Sequence, residues 1–344
     1  MISSTAAASS DHRERPGPAG HQGAQPSHSI VIPVYRNRDF LPDVLRAVEE
    51  VACLVTGTLE AVFVIDGSPD DSERWLLENL PRMPVASQLI ALSRNFGSFS
   101  AIRVGLSEAR GDYLAVMAAD LQEPPSLIVE FYRALAGGHD VAVGTRSGRE
   151  DPWLGQSSAR AFWRLYRLLV QPEMPKDGVD VFAVSRNARD ALLALEESHS
   201  SLVAQLMWIG FSRVEVPYQR LPRQHGASGW TLRKRLNYLF DSIFSFTDIP
   251  IRVLTGIGLV GTVAMLLTGA VLLVARLLGM IEVPGYTAIM ITLLLAASLI
   301  LFALGIVGNY VWRAYENTKQ RPLGIVRARR VFPPPASHRE PGIG

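Results

Sequence analysis

Three polar side chains at the end of an apolar run are the first place where this sequence could do chemistry. In Val116–Pro125, VMAADLQEPP, an uncharged stretch delivers Asp120, Gln122 and Glu123 and then meets Pro124 and Pro125. A carboxylate and an amide oxygen two residues apart can both turn toward a hard divalent cation. Mg²⁺ in particular is commonly held by few protein ligands together with substrate phosphates. Such an ion would neutralise a diphosphate leaving group. Polar residues end other apolar runs in the same way: Tyr35 after SIVIPV, Asp66 after EAVFVI, and Arg94 and Asn95 after SQLIALS. Any one of these could be a solvated loop residue; their recurrence after successive runs makes them a candidate site.

The elements that must position them follow from hydrophobic periodicity. Residues 29–220 alternate short apolar runs with amphipathic stretches. Strands are expected at SIVIPVY, EAVFVID, SQLIAL, DYLAVMAAD and HDVAVGTR; helices are expected over Asp39–Val51, Ser72–Leu80, Ser98–Ala109 and SLIVEFYRAL. Repeated strand–helix units predict an α/β domain with a mostly parallel, doubly wound sheet. Such sheets bind ligands at the carboxyl ends of their strands, where these polar residues lie. The strands must be apolar because helices cover both faces. Pro124 and Pro125 end the fourth strand and fix the exit of its loop.

The chain has 344 residues and a formal net charge of +2, which does not point to nucleic-acid binding. A single cysteine, Cys53, excludes a disulfide framework, and it is expected to be a small buried residue. Residues 1–28 read as a disordered tail, rich in Ser, Ala, Gly and Pro and without the apolar core of a signal peptide. The catalytic domain is expected over 29–230.

Residues 231–250 read as an amphipathic helix lying at a bilayer surface, with Arg233, Lys234 and Arg235 at its start. A transmembrane hairpin is expected over 251–313, its spans at about 253–276 and 287–312. Val253–Ala275 carries no charge, and a helix of that length rises about 35 Å, enough for a hydrocarbon core of about 30 Å. Basic residues flank the pair on one side, so the positive-inside rule places the catalytic domain and both termini in the cytoplasm, on a multi-pass protein of the cell membrane. Residues 314–344 read as a basic, Pro-rich, loosely ordered tail.

Taken together, SIVIPVYRN, VIDGSPD, LSRNFGSFSAIRVGLSEARGDYLAVMAADLQEPP and VGTR resemble the family 2 glycosyltransferases of GT-A fold. They are most similar to the branch that uses polyprenyl phosphates, which includes dolichyl-phosphate mannose synthases and bactoprenol glucosyltransferases. LGIVGNYVWRAYENTKQRPLGIV extends the resemblance to about residue 330. It implies a membrane-bound, inverting transfer of a hexose from a UDP- or GDP-sugar to an undecaprenyl-type phosphate, for cell-envelope glycans.

By position, the resemblance implies that Pro33 and Tyr35 line the nucleotide pocket, that Asp66 contacts base or ribose, and that Arg94 and Asn95 lie near the nucleotide and its diphosphate. Asp120 and Gln122 would bind Mg²⁺ or Mn²⁺. Asp180 would stand on the acceptor side near the sugar, and Arg223 and Ser228 would belong to a phosphate-binding loop. The implied partners are a nucleotide-sugar donor, polyprenyl phosphate and the lipid bilayer, with homo-oligomerisation left open. The sequence departs from the family pattern at Ala118, where a first aspartate is usual, at Ile65, at Val181-Phe182, and at Gly229, which replaces a basic residue. Two other readings remain: a hydroxyl-bearing sugar or glycolipid acceptor, for which Asp180 would be a true base, and a catalytically weak scaffold in a glycan-export complex.

Overall fold

Apolar runs and amphipathic stretches assemble as alternating strands and helices. The computed structural model describes residues 27–147, 162–168, 170–176, 178–197, 200–221, 232–247, 249–278 and 285–335. Arg223, Ser228 and the expected N-terminal tail up to residue 26 lie outside them.

In chain order the catalytic part runs β1 (Ser27–Val34), α1 (Leu41–Leu54), β2 (Thr58–Ile65), α2 (Ser72–Asn79), β3 (Ala86–Leu92), α3 (Ser98–Glu108), β4 (Tyr113–Val116), α4 (Pro125–Ala136), β5 (Val141–Arg146), α5 (162–168), β6 (Phe182–Ser185), α6 (Arg186–Leu193), α7 (Leu202–Trp208) and β7 (Arg213–Tyr218). Then follow α8 (Leu232–Phe246), α9 (Ile249–Leu277), α10 (Tyr286–Thr318) and β8 (Val326–Phe332). One eight-stranded sheet has the order β7-β5-β6-β4-β1-β2-β3-β8. Six strands share one direction; β6 runs antiparallel between β4 and β5, and β8 runs antiparallel to β3.

Strand alternation splits the core into two layers. Ile30, Ile32, Phe63 and Ile65 face α1 and α4, while Val31, Val62 and Val64 face α3, α6 and α7. Each such buried aliphatic side chain contributes about 1.5–3 kcal/mol. Gly105 lets α3 lie directly on the sheet, since a Cβ there would sit 2.3 Å from Val31 Cγ1. Arg103 of α3 is buried and donates to the carbonyls of Leu192, Leu193 and Leu195 and to Gln205 Oε1. It thereby caps the C-terminal end of α6 with a cation.

Two expectations are corrected. Cys53 is exposed: the buried face of α1 is Leu41, Val44, Ala47, Val48 and Val51, and Cys53 falls on the opposite side. The described part of the stretch beyond Arg321, up to residue 335, is not a loose tail. Val326–Phe332 forms β8 and extends the catalytic sheet past β3, so the domain that begins near residue 27 is completed by a strand some 300 residues later.

The expected apolar segments are continuous helices of 29 (α9) and 33 (α10) residues. Leu259, Val260, Leu267, Ile289, Leu301 and Leu304 are among many large apolar side chains on them that stand exposed. Within the described residues, Leu295–Thr318 is long and apolar enough to cross a membrane, with mean hydropathy 1.9. A second such stretch is formed only if the end of α8 and the start of α9, which meet at 75°, count as one. Helix α8 is bonded in two directions: Tyr166 on α5 donates to Ser242 at 3.1 Å, and Arg313 on α10 donates to Asp241 at 2.7 Å and to Ser245 at 3.1 Å.

Candidate active site

The sheet order reverses between β1 and β4, so the carboxyl ends of these neighbouring strands flank a topological switch point. Leaving β1, Tyr35 is 40% exposed and Arg36 adopts φ 56°. Leaving β4, Leu121 adopts φ 49°. A left-handed conformation costs a non-glycine residue about 1–2 kcal/mol, so both strand exits need outside support. For Arg36 it comes from the β2 exit. Its N–H donates to Ser68 Oγ at 2.7 Å, and Ser68 Oγ donates to Asp70 Oδ1 at 2.6 Å. Asp70 also accepts from the Arg38 and Ser72 amides. Burial alone would raise the Asp70 carboxyl, but these bonds hold it below its ordinary value.

Asp66 follows β2 and is buried, and each of its oxygens accepts a backbone hydrogen bond. Oδ1 accepts from Phe96 N at 2.7 Å and Oδ2 from Gly97 N at 2.9 Å, at the entry to α3. The carboxylate thus occupies the electropositive N-terminus of α3. Through these bonds Asp66 shapes the loop carrying Arg94 and Asn95; the contact with base or ribose that the resemblance implies is a separate role. Gly67 (φ 58°) makes the close approach possible, since a Cβ there would lie 2.4 Å from Arg94 C and Asn95 N. Arg94 and Asn95 are exposed at this tip, with the Arg94 guanidinium 3.9 Å from the centre of the Phe96 ring. Pro33 sits within β1, opposite Val64.

The β4 exit carries the acidic motif. Asp120 is half-buried, and the turn is closed by Leu121 N donating to Ala118 O at 3.3 Å. Gln122 is buried, and its Oε1 accepts from Arg220 Nη2 at 2.5 Å. The amide oxygen expected to pair with Asp120 at a metal faces a guanidinium in this structure. Glu123 is 4% exposed, and among the described residues its Oε2 has no hydrogen-bond partner. Burial pushes this carboxyl up to about 7, reinforced by the charges of Asp180 and Asp120 and opposed by Arg220 and Arg146.

Because β6 is antiparallel, its beginning lies beside the ends of β4 and β5, and this delivers Asp180 to the same edge. Asp180 Oδ2 accepts from Arg146 Nε at 2.7 Å and from the Tyr218 hydroxyl at 3.0 Å, and pairs with Arg146 Nη2 at 2.5 Å. Burial raises the Tyr218 hydroxyl, with the Asp180 and Glu123 charges adding to it.

The structure therefore brings Asp120, Gln122 and Asp180 together and places Tyr35, Asp66, Arg94 and Asn95 on the neighbouring strand tips. Sequence reasoning named Glu123 without giving it a role and left out Asp70, Arg146, Tyr218 and Arg220. Glu123 and Arg146 stood inside motifs already singled out, whereas Tyr218 and Arg220 carry no local signal. Among the described residues no group of three or more His, Cys, Asp and Glu is arranged to hold a metal ion.

Residues 29–192 match the family model described as "Glycosyl transferase family 2". The chain is 31% identical over 299 residues to an uncharacterized glycosyltransferase of Synechocystis sp., covering 87% of this chain and 94% of that protein. The chain belongs to glycosyl transferase family 2. It is also 29% identical over 303 residues to the bactoprenol glucosyl transferase of Shigella phage SfX, covering 88% of this chain and 99% of the phage protein. Among solved structures it resembles glucosyl-3-phosphoglycerate synthase from Mycobacterium tuberculosis at 15% identity, over 64% of this chain and 76% of that one, with a TM-score of 0.46. This family 2 chain is a glycosyltransferase, and its sheet is the mixed α/β frame expected for that family.

Proposed function

We propose that this glycosyltransferase moves a hexose from a nucleotide sugar to a polyprenyl phosphate at a membrane surface, with inversion at the anomeric carbon. The observation that carries this is the extent of the bactoprenol relatives' match. It covers 88% of the chain and 99% of the phage protein, whereas the family model ends at residue 192. The similarity therefore includes the long apolar helices. In this reading α9 and α10 form a hairpin across the bilayer, α8 lies at its cytoplasmic surface, and the catalytic domain and both termini are cytoplasmic. Exposed apolar side chains on α9 and α10 support it, since a soluble protein rarely leaves so large an apolar surface open.

The donor lies across the ends of β1, β2 and β3. Tyr35 borders the nucleotide, Asp66 fixes the 94–97 loop, and Arg94 and Asn95 face the diphosphate. Asp120 supplies a hard oxygen where Mg²⁺ or Mn²⁺ would sit with few protein ligands; Glu123 Oε2 nearby, without a hydrogen-bond partner among the described residues, fits a site short of positive charge. When bound, the ion neutralises the departing diphosphate.

A phosphate acceptor has a second pKa of about 6 and is already largely anionic at neutral pH. Its attack needs alignment and cations more than a base. Arg146, held by Asp180, is one cation at this edge; Arg223 is assigned the same task, and Ser228 a part in binding the phosphate. In this scheme Asp180 orients Arg146, with one oxygen already accepting two hydrogen bonds and an ion-pair contact.

A second reading, a hydroxyl acceptor, is favoured by one observation: Glu123, buried and pushed up to about 7, has the properties of a general base. The two separate when membranes holding the protein are given radiolabelled nucleotide sugars with either polyprenyl phosphate or the dephosphorylated alcohol. Label should enter the organic phase only with the phosphate. Equal labelling of the alcohol would replace the proposal with the hydroxyl reading.

A further inference from the structure

Arg220 lies two residues beyond the end of β7, on the exposed rim, and reaches back to the buried carboxamide of Gln122. The contact is doubled, because Leu221 N donates to the Gln122 carbonyl at 2.8 Å. One side-chain bond and one backbone bond thus stitch the β7 exit to the turn that follows β4. That turn needs a restraint: Leu121 stands at φ 49°, and among the described residues the backbone bond that closes the turn is long, at 3.3 Å. Strain of this kind persists only where the surroundings over-determine the conformation.

We infer that Arg220 is a positioning residue: by holding Gln122 Oε1 it keeps the 118–122 turn in the shape that presents Asp120. The inference rests on Asp120 being the donor-side metal ligand proposed above. It assigns Gln122 a different part from its neighbour. Gln122 is the handle by which the turn is held, and its amide oxygen serves the guanidinium. It also explains why a glutamine and an arginine 98 residues apart meet at the active edge. A hydrogen bond with one charged partner is short and strong enough to hold a strained backbone, and the amide is already sheltered from water.

The opposite assignment, Gln122 as a metal ligand in competition with Arg220, makes a different prediction, so a double-mutant cycle decides. Full-length protein in detergent is titrated with Mn²⁺, and free Mn²⁺ is read by electron paramagnetic resonance, which requires no turnover. Arg220→Ala and Gln122→Ala should each weaken Mn²⁺ binding by about tenfold, the scale expected when a group supporting a ligand is lost. The double variant should be no weaker than either single, because both remove the same bond. Arg220→Lys, which keeps a cation within reach of the amide, should recover most of the loss.

Tighter or unchanged binding in Arg220→Ala would overturn the inference, since removing the guanidinium would then have released Gln122 as a ligand. An additive loss in the double variant would overturn it as well. Should the wild type bind no Mn²⁺, the metal reading of Asp120 fails. Amide hydrogen exchange across 118–122 then decides on positioning: faster exchange in both single variants upholds it, and unchanged exchange rejects it. The polyprenyl-phosphate proposal stands or falls separately, on the extracted product.

Discussion

Asp66, Asp120, Glu123 and Asp180 are four carboxylates at one edge of a sheet, and their partners give them four different tasks. Asp66 is spent on two backbone amides, and Asp180 on Arg146 and Tyr218. Glu123 has an oxygen without a hydrogen-bond partner among the described residues and a carboxyl raised to about 7. The sequence made Asp120 legible because a carboxylate after an apolar strand is a local signal. The same signal marked Asp66, but its bonds to two amides were not legible, because those amides come 30 residues later. Glu123 yields a prediction with a definite sign. Its folded value lies above the ordinary 4.5, so the stability linked to its protonated form is complete below pH 4.5 and is lost as pH rises through about 7. The loss is at most ~3 kcal/mol for a shift of that size. In EDTA, Glu123→Gln and wild type should therefore melt at similar temperatures near pH 4.5, and the variant should become the more stable one through pH 7. The facing charges, Asp120 and Asp180 against Arg146 and Arg220, are unchanged by the substitution. A melting difference that stays constant from pH 4.5 to 8 would show that Glu123 does not titrate in this range.

At the scale of elements, β1 to β5 and α1 to α4 were legible because burial on two faces writes itself as uninterrupted apolar runs and amphipathic spacing. The other strands carry weaker marks. β6 has four residues, β7 alternates and contains Pro217, and β8 is VRARRVF, with three arginines and almost no burial. A basic edge strand looks like a tail because its partner, β3, is more than 200 residues away. Its place is nonetheless well defined. Leu89, Ile90 and Ala91 pair with Arg330, Arg329 and Ala328, Arg327 binds Glu73, and Arg329 binds Glu108. These surface ion pairs contribute little individually; the larger effect is that β3 does not become an open apolar edge. Ser93 N also donates to Ile325 O at 2.9 Å, one residue before Arg94. Deleting residues 324–344 should therefore lower the melting temperature in detergent and promote aggregation. It should also raise the KM for the nucleotide sugar more than that for the lipid. If donor KM and melting temperature both stay at wild-type values, β8 is dispensable to this site.

At the scale of the whole molecule, the chain leaves the catalytic sheet after β7, passes through α8, α9 and α10, and returns to the opposite edge of the same sheet as β8. The apolar helices are thus a long insertion in one domain rather than an appendage, a closure invisible to any local pattern. Within this insertion, α8 is the bracket. Ser242 is bonded to Tyr166 of the catalytic part, and the adjacent Asp241 is bonded to Arg313 of α10, whose guanidinium also lies 5.4 Å from the Phe244 ring. Arg313 is mostly covered, with 14% of its side chain exposed, so breaking the pair leaves a poorly solvated charge. If this bracket fixes the height of the active site over the bilayer, its loss should be felt only by an acceptor anchored there. Asp241→Ala and Arg313→Ala should each reduce kcat/KM about tenfold for a long-chain polyprenyl phosphate in vesicles, an effect near 1.4 kcal/mol. Both should remain close to wild type with a short-chain, water-soluble prenyl phosphate. The exchange of charges, Asp241→Arg with Arg313→Asp, should recover part of the loss. Equal losses with both acceptors would mean that the pair supports the fold of the catalytic domain itself and does not set its position on the membrane.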